Sequence, residues 1–150
     1  MLPRRKNIRL PYYDYHTNGM YFITICTKKK QHVFGKISDG KIVLNPLGQY
    51  ARKRLQAINN SYPDVQVIHA IVMPNHVHAI FSLENDTAPA LGQIVNRFKG
   101  SVSRQFGKAL WQRSYYEHVI RNKQNLLKIM EYIENNPLNW QLRHQLEKEF

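Results

Sequence analysis

Two adjacent strands are predicted by residues 65–83, which read VQVIHAIVMPNHVHAIFSL. The first half, Val65–Met73, is nearly all apolar and rich in β-branched residues, as expected for a central strand. Pro74-Asn75 interrupts the apolar run, since both residue types are typical of turns. His76–Leu83 then forms the next strand. The rest of the fold can be placed around this strand pair.

The segment before this pair alternates between strand and helix patterns. Residues 21–27 (YFITICT) are β-branched and aromatic and predict a strand. Residues 33–37 and Lys41–Leu44 flank Asp39-Gly40, a strong hairpin-turn signal. Asn45-Pro46 supplies a cap and a first-turn proline for a helix. We therefore expect a strand, an inserted hairpin and a helix.

The segment after the pair repeats this alternation. Residues 86–89 open a second helix, which Gly107 ends, and residues 114–120 form a further strand. A third helix is capped by Asn122 and stopped by Pro137, because proline cannot continue a helix. Leaving the hairpin aside, the order is β-α-β-β-α-β-α. This order predicts a ferredoxin-like α+β sandwich with an extra C-terminal helix.

The length and composition fit one basic domain. We expect residues 1–150 to form a single core, with residues 1–20 as a basic, aromatic and irregular arm. Lys plus Arg total 22 against 10 acidic residues, and 12 of those bases lie in the first 54 residues with only 2 acids. This uneven charge favours a polyanionic partner over a general solubility role.

The same composition bears on location. No apolar run reaches 18 residues, which excludes a membrane-spanning helix, and we read no secretion signal in the basic N-terminus. Cys26 is the only cysteine, so an internal disulfide is impossible and a reducing compartment fits. We expect a cytoplasmic, nucleoid-associated protein without a membrane partner.

The sharpest local motif is His76-Val77-His78 at the start of a strand. Side chains alternate along a strand, so the two imidazoles point to one face and lie about 7 Å apart along the chain. They can converge on one cation. The spacing alone leaves a second interpretation open, in which both are ordinary strand histidines.

A polar stripe marks the third helix. At about 100° per residue, Lys128, Tyr132 and Asn136 line one side of it. Tyr132 therefore sits at the edge of the buried face, where its hydroxyl can reach a site beside the sheet. It could equally be a boundary tyrosine with its hydroxyl in water. Tyr115 and Tyr116 are rivals for any functional role.

An ordered set of motifs resembles the REP-associated tyrosine transposases, a branch of the single-tyrosine HUH transposases of insertion-sequence type. The His76-Val77-His78 strand resembles their HUH motif. The other matching segments are residues 9–15 (RLPYYDY), 21–27 (YFITICT), 111–122 (WQRSYYEHVIRN) and 132–137 (YIENNP). The resemblance runs in order over nearly the whole chain.

The resemblance implies a ferredoxin-like enzyme that binds Mg²⁺ or Mn²⁺ and acts on single-stranded DNA beside a hairpin. It implies that His76 and His78 are metal ligands and that Tyr132 is the nucleophile. The polar third ligand of the family falls on Asn136, with Glu134 as the second choice. The enzyme would be a transposase or nickase that cuts and rejoins DNA through a 5′-phosphotyrosine link, working as a monomer or a homodimer.

Further assignments follow from the chemistry. Lys128 could stabilise the phenolate or the leaving oxygen, and no dedicated base is evident. Because imidazole also suits zinc, four tight ligands including Cys26 or His118 would instead indicate structural zinc. We expect phosphate contacts from bases and stacking from tyrosines. The residues in these roles are Arg4, Arg5, Lys6, Arg9, Tyr12, Tyr13, Lys28, Lys29, Lys30, Arg52, Lys53 and Arg54.

Three alternatives remain at this stage. The basic arm could simply fold against the domain. The chain could be a non-catalytic nucleic-acid-binding module, because RNA-recognition domains share the β-α-β-β-α-β order. It could also be a hydrolytic metal nuclease, which would release its product without a covalent protein–DNA link.

Overall fold

The structure is a computed structural model that describes residues 4–5, 19–84 and 88–149 and, of residues 4–5 and 144–149, only the backbone. These ranges contain seven strands and five helices. The strands are β1 (Arg4–Arg5), β2 (Gly19–Cys26), β3 (Gly35–Ser38), β4 (Lys41–Leu44), β5 (Val65–Met73), β6 (His76–Leu83) and β7 (Tyr116–Ile120). The helices are α1 (Pro46–Gln56), α2 (Ile58–Ser61), α3 (Leu91–Phe106), α4 (Lys123–Glu134) and α5 (Asn136–Glu149).

Five strands form one antiparallel sheet in the order β1-β7-β2-β6-β5. The four long strands of this sheet therefore stand in the chain order fourth, first, third, second. That arrangement follows when each helical crossover skips one strand position, and it is the ferredoxin-like topology. The predicted fold class is confirmed.

The inserted hairpin is also confirmed. β3 and β4 pair with each other as a separate two-stranded sheet. Both turn residues have positive φ, 52° at Asp39 and 72° at Gly40, as a tight two-residue hairpin turn requires. The backbone N–H of Gly40 donates to Oε1 of Gln141, so the hairpin is docked against α5.

The two faces of the sheet bury different side chains. One face packs under α1 and α3, with Ile23 of β2, Val77 of β6 and Ile94 of α3 in a single apolar cluster. The other face packs under α4 in a smaller cluster. Its buried members are Phe22, Ile80, Ile120, Ile129 and Ile133. Neighbouring residues of one strand therefore belong to separate clusters, as the two-residue period dictates.

Local signals set most helix ends. The side chain of Asn45 accepts from the N–H of Gly48 at 2.9 Å, and Asn122 accepts from the N–H of Asn125 at 2.8 Å. Gly107 ends α3 with a left-handed φ of 89°, which favours glycine. Both predicted caps and the predicted helix stop are confirmed.

The C-terminal part of the chain corrects one prediction. α4 ends at Glu134, and Pro137 lies in the first turn of a further helix, α5. Proline removes an internal helix hydrogen bond, but in a first turn its N–H would be unpaired anyway. The sequence pattern predicted Pro137 only as a helix stop, with Asn136 at the end of the tyrosine helix, and α5 was not predicted.

The other differences are small shifts of element bounds. β2 begins at Gly19 rather than at residue 21, β3 covers residues 35–38 rather than 33–37, and β7 begins at Tyr116 rather than at residue 114. α3 begins at Leu91, after the region of residues 86–89. Such shifts are expected where propensity changes gradually along the chain.

The predicted N-terminal arm is only partly covered. Arg4–Arg5 form a strand that pairs with β7, and Gly19 and Met20 belong to β2, so these four residues are not irregular. Lys6, Arg9 and the other residues at 6–18 lie outside the described part of the chain. Among the described helices, none combines the length and apolar character that crossing a bilayer requires.

Candidate active site

The two histidines of β6 lie on the α4 side of the sheet. In the register of β2 and β6, His78 pairs with Thr24 and His76 with Cys26. The centroids of the two imidazole rings are 4.6 Å apart. Val77, between them in sequence, is fully buried on the opposite face. The structure therefore brings the two rings together as the alternation of the strand predicted.

One ring nitrogen of His78 is held by Thr24, and the other has no hydrogen-bond partner. Its Nδ1 lies 2.9 Å from Oγ1 of Thr24, while its Nε2 is buried and has no hydrogen-bond partner. Burial lowers the pKa of His78 well below its usual value, and His76 lowers it further. A neutral ring with one nitrogen anchored and one buried lone pair is the usual arrangement of a metal-ligating histidine.

His76 faces two amide side chains. Its Nδ1 lies 2.7 Å from Oδ1 of Asn75, and its Nε2 lies 3.3 Å from Oδ1 of Asn136. Burial lowers its pKa to about 4 despite the opposing contact with Asn136, and Arg143 and Lys30 add to the lowering. The ring is therefore neutral at pH 7 and has one N–H for two oxygen acceptors. A cation between Nε2 and the Asn136 oxygen would satisfy both atoms.

The Tyr132 ring lies beside the histidine pair. Its centroid is 5.4 Å from that of His78 and 6.3 Å from that of Phe22. The side chain is 48% exposed, so its hydroxyl is accessible to a substrate. α4 holds it there because Ile129 and Ile133 are buried against the sheet. The helix thus brings a phenol to the same site as the two imidazoles.

The two rival tyrosines occupy other positions. Tyr115 is 1% exposed and belongs to the apolar cluster under α1 and α3, on the far face of the sheet. Tyr116 pairs in register with Thr24, which in turn pairs with His78. It therefore lies on the same face as the histidines but two strands away, roughly 10 Å. The Tyr132 ring, by contrast, contacts the ring of His78.

These groups line a cleft of about 240 Å³. Among the described residues that line it, two are cations and none is a carboxylate. The lining comprises Thr24, Cys26, Lys30, Asn75, His76, His78, Tyr132, Asn136, Trp140 and Arg143. A neutral-to-positive cleft with a phenol at its rim suits a phosphate-bearing substrate.

Some predicted site residues lie elsewhere. Lys128 is exposed on α4 and is not part of the cleft lining. The carboxylate of Glu134 lies 3.7 Å from Nε2 of His69, toward the sheet edge, so Asn136 is the better placed of the two candidate third ligands. Asn136 reaches the site from the first turn of α5 rather than from the tyrosine helix.

Trp140 and Arg143, which line the cleft from α5, were not predicted from the sequence. Counted from Asn136, they stand at i+4 and i+7, the spacing of one helix stripe. That signal could have found them, but it was hidden by the expectation that the helix ends at Pro137.

The predicted DNA-binding bases are spread over the molecule. Lys28, Lys29 and Lys30 are exposed in the turn after β2, and only Lys30 lines the cleft. Arg52, Lys53 and Arg54 are exposed on α1, which covers the other face of the sheet. The α1 group therefore lies away from the cleft, whereas the turn after β2 adjoins the cleft through Lys30. The backbone of Arg4 and Arg5 borders β7, while Lys6, Arg9, Tyr12 and Tyr13 lie outside the described residues.

The donor set can be compared with metal preferences. In the described part of the chain, no three His, Cys, Asp or Glu side chains form a group that could hold a metal ion. The zinc alternative with Cys26 and His118 therefore has no closed ligand set there. Two neutral imidazoles and one amide oxygen instead leave positions open for water or substrate, as a catalytic divalent ion requires.

Comparisons with known proteins identify the family of this chain. The family described as IS200-like transposases matches residues 15–136. A Haemophilus influenzae protein of uncharacterised function is 36% identical, covering 91% of this chain and 90% of its own length. A second protein from that organism, assigned to the REP-associated tyrosine transposases, is 26% identical over 83% of this chain and 73% of its own length.

Two solved structures share the fold. A REP-associated tyrosine transposase bound to a REP hairpin has a TM-score of 0.69 and 21% identity, covering 88% of this chain and 74% of that one. A Deinococcus radiodurans protein described as a transposase has a TM-score of 0.53 and 19% identity, covering 85% and 96%. The chain therefore belongs to the IS200-like transposases, and its likeness to the REP-associated tyrosine transposases confirms the resemblance that its motifs indicated.

Proposed function

We propose that this protein cuts and rejoins single-stranded DNA beside a hairpin, with Tyr132 as the nucleophile and a divalent ion at His76 and His78. The observation that carries the proposal is the contact between the Tyr132 ring and the ring of His78, whose buried Nε2 has no hydrogen-bond partner. The hairpin is inferred from the solved neighbour, which is bound to one.

The reaction is a transesterification. The Tyr132 oxygen forms a bond to phosphorus while the bond from phosphorus to the 3′ oxygen of the preceding nucleotide breaks. The phenol loses its proton and the departing oxygen gains one, which leaves a 5′-phosphotyrosine and a free 3′-OH. The covalent link retains the bond energy for rejoining.

Each nearby side chain has a proposed role in the reaction. Thr24 orients the His78 ring, and Asn75 orients the His76 ring. Mg²⁺ or Mn²⁺ held by His76, His78 and Asn136 would supply Lewis-acid stabilisation at the phosphate. Lys30 and Arg143, which line the cleft, favour negative charge there. Lys128, which is exposed and outside the lining, is expected to contribute least.

The geometry also bears on the alternative of a non-catalytic binding module. RNA-recognition domains bind bases on an open sheet face that carries aromatic side chains. Here α4 covers part of that face, with Phe22 and Ile80 buried beneath it. The sheet therefore offers little open platform, which favours the enzyme.

A covalent-adduct assay tests the proposal. Protein, Mn²⁺ and a labelled REP-type DNA hairpin with single-stranded flanks should give a band that survives denaturation. Tyr132→Phe should bind the hairpin but give no adduct, and chelation should abolish the band in the parent protein.

Tyr116→Phe is the matched control, since Tyr116 lies on the same face but two strands away, and it should retain the adduct. Cleavage without any adduct would identify a hydrolytic nuclease. Binding that needs no metal, with no cleavage of any strand, would identify a binding module.

A further inference from the structure

The wall of the cleft opposite Tyr132 is formed by α5. Across the junction of α4 and α5, the N–H of Asn135 donates to the Glu131 carbonyl and that of Asn139 to the Asn135 carbonyl, at 3.0 and 2.9 Å. Helical i to i−4 hydrogen bonds therefore lie on both sides of the break between α4 and α5. Tyr132 and Trp140 stand four residues before and four after Asn136, about 6 Å along the helix on each side.

The aromatic rings follow the same order. The Tyr132 ring contacts that of His78, and the His78 and His76 rings contact each other. The Trp140 ring stacks on that of His76, with centroids 6.1 Å apart and planes inclined by 29°. The phenol and the indole thus flank the candidate metal-binding pair from opposite ends.

The Trp140 side of the cleft also carries the positive charge. Arg143 lies on the same stripe of α5, one turn further, and Lys30 follows β2 across the cleft. An indole beside two cations is the combination that binds a base and its phosphate in single-stranded DNA. The exposed His32 ring also lies near the indole, with centroids 5.2 Å apart and planes inclined by 59°, and an incoming base can replace it.

The geometry of in-line displacement indicates which nucleotide lies against α5. The leaving 3′ oxygen departs from the side of phosphorus opposite the attacking phenol. We infer that Trp140 stacks on the base of the nucleotide that carries the leaving 3′-OH, and that Arg143 and Lys30 bind the phosphate on its 5′ side. This assignment of the leaving-strand site rests on the proposed function.

The first test does not depend on cleavage. The full-length Tyr132→Phe protein is titrated with oligodeoxythymidine (dT8) without metal, and its tryptophan fluorescence is followed. Stacking on Trp140 should quench the signal, and Trp140→Phe should bind the oligonucleotide without that quenching. Trp140→Ala should weaken binding by about 5- to 150-fold, the usual effect of removing one stacking partner.

The controls separate a local site from a general loss of structure. Leu142→Ala removes an exposed side chain of α5 and should bind within about twofold of the parent. His32→Ala removes the ring that the base replaces and should bind at least as tightly as the parent. Arg143→Gln should lower the slope of log Kd against log salt by about 0.7, the value for one phosphate contact to a single strand. Full quenching in Trp140→Phe, or unchanged affinity in Trp140→Ala, would overturn the inference.

The second test determines whether Trp140 contacts the nucleotide on the 5′ or the 3′ side of the scissile phosphate. Once the cleavage site is mapped, an abasic nucleotide is placed directly 5′ or directly 3′ of the scissile phosphate. On the 5′-abasic DNA, Trp140→Ala should form the adduct as fast as the parent protein does, because the base that Trp140 contacts is already absent. On the 3′-abasic DNA, the fold-decreases in rate caused by the substitution and by the missing base should multiply. The reverse pattern would overturn the leaving-strand assignment. Persistent dT8 quenching without any adduct would contradict the proposed function and that assignment together, but not the stacking site.

Discussion

The two faces of the sheet are built from the same strands but have different tasks. Under α1 and α3, the sheet buries a large apolar cluster that includes Val77. Under α4, the apolar cluster is small, and next to it the face carries His76, His78 and Thr24 in a cleft. One face supplies most of the core, while the other keeps only enough apolar contact to hold α4 over the polar groups. Under the proposed function, stability and chemistry are divided between alternate residues of β6.

The largest difference between the two faces is expected when two adjacent residues of β6 are substituted. His78→Ala should lower adduct formation by more than about 100-fold, because it removes a candidate metal ligand. Val77→Ala should instead lower the free energy of unfolding by about 1–3 kcal/mol, through lost apolar burial and a cavity. Urea unfolding and adduct yield per folded molecule measure the two effects. Large loss of adduct yield in folded Val77→Ala would contradict the division.

A smaller effect is expected from the residue that orients His78. Thr24→Val keeps the shape of the side chain but removes the oxygen that lies 2.9 Å from Nδ1 of His78. The Mn²⁺ concentration for half-maximal adduct formation should rise by about 10- to 100-fold, as for other partners of metal-ligating histidines. Thr24→Ser, which keeps the hydroxyl, is the matched control. An unchanged Mn²⁺ requirement in Thr24→Val would show that this contact does not orient a ligand.

Stability should depend on pH through the histidines of the cleft. Burial lowers the pKa of His76 to about 4 and that of His78 well below its usual value. Between pH 6.5 and about 4, the unfolded chain therefore binds protons that the folded chain does not. The metal-free protein should lose at most about 1.4 kcal/mol of unfolding free energy per pH unit for each histidine as the pH falls.

Urea unfolding at pH 7 and pH 5 measures this slope. His76→Asn should show a smaller loss than the parent protein over the same interval, because one of the titrating groups is gone. An equal loss in the variant would mean that other groups cause the acid sensitivity.

The smallest effects are expected from substitutions of two matched isoleucines. Ile133 of α4 and Ile94 of α3 are each 1% exposed and lie on opposite faces of the sheet. Ile133→Val and Ile94→Val should each lower the free energy of unfolding by about 0.5–1.5 kcal/mol. Only Ile133→Val should also slow adduct formation, by a few-fold, because Ile133 follows Tyr132 and anchors its helix. Equal rates in the two variants would show that this packing does not position the phenol.

The sequence predicted best where a local rule decides the structure. Alternation on β6 placed His76 and His78 on one face, and asparagine and glycine marked helix ends because their side chains or φ angles satisfy the backbone there. The topology followed from the order of elements. The proposed role of Tyr132 came from the resemblance, and the structure adds the contact with His78.

The sequence predicted worst where distant segments meet. Pro137 ends one helix and begins another, and both placements satisfy the same local rule. α5 reaches the cleft because it packs on the β3–β4 hairpin, about a hundred residues earlier in the chain. No local pattern reports that contact, so Trp140 and Arg143 were not found. The spread of the basic residues over two faces also depends on packing rather than on their positions in the sequence.

The assignment of Tyr132 as the nucleophile can be tested by locating the DNA-linked residue in the covalent complex. After nuclease trimming and trypsin digestion, mass spectrometry can find the peptide that carries a nucleotide. Cleavage after Lys128 and Arg143 gives the peptide of residues 129–143, in which Tyr132 is the only tyrosine, whereas Tyr115 and Tyr116 fall together in the peptide of residues 114–121. We expect the nucleotide on the first peptide, which contains Tyr132. A nucleotide on the second peptide, with the first unmodified, would contradict it.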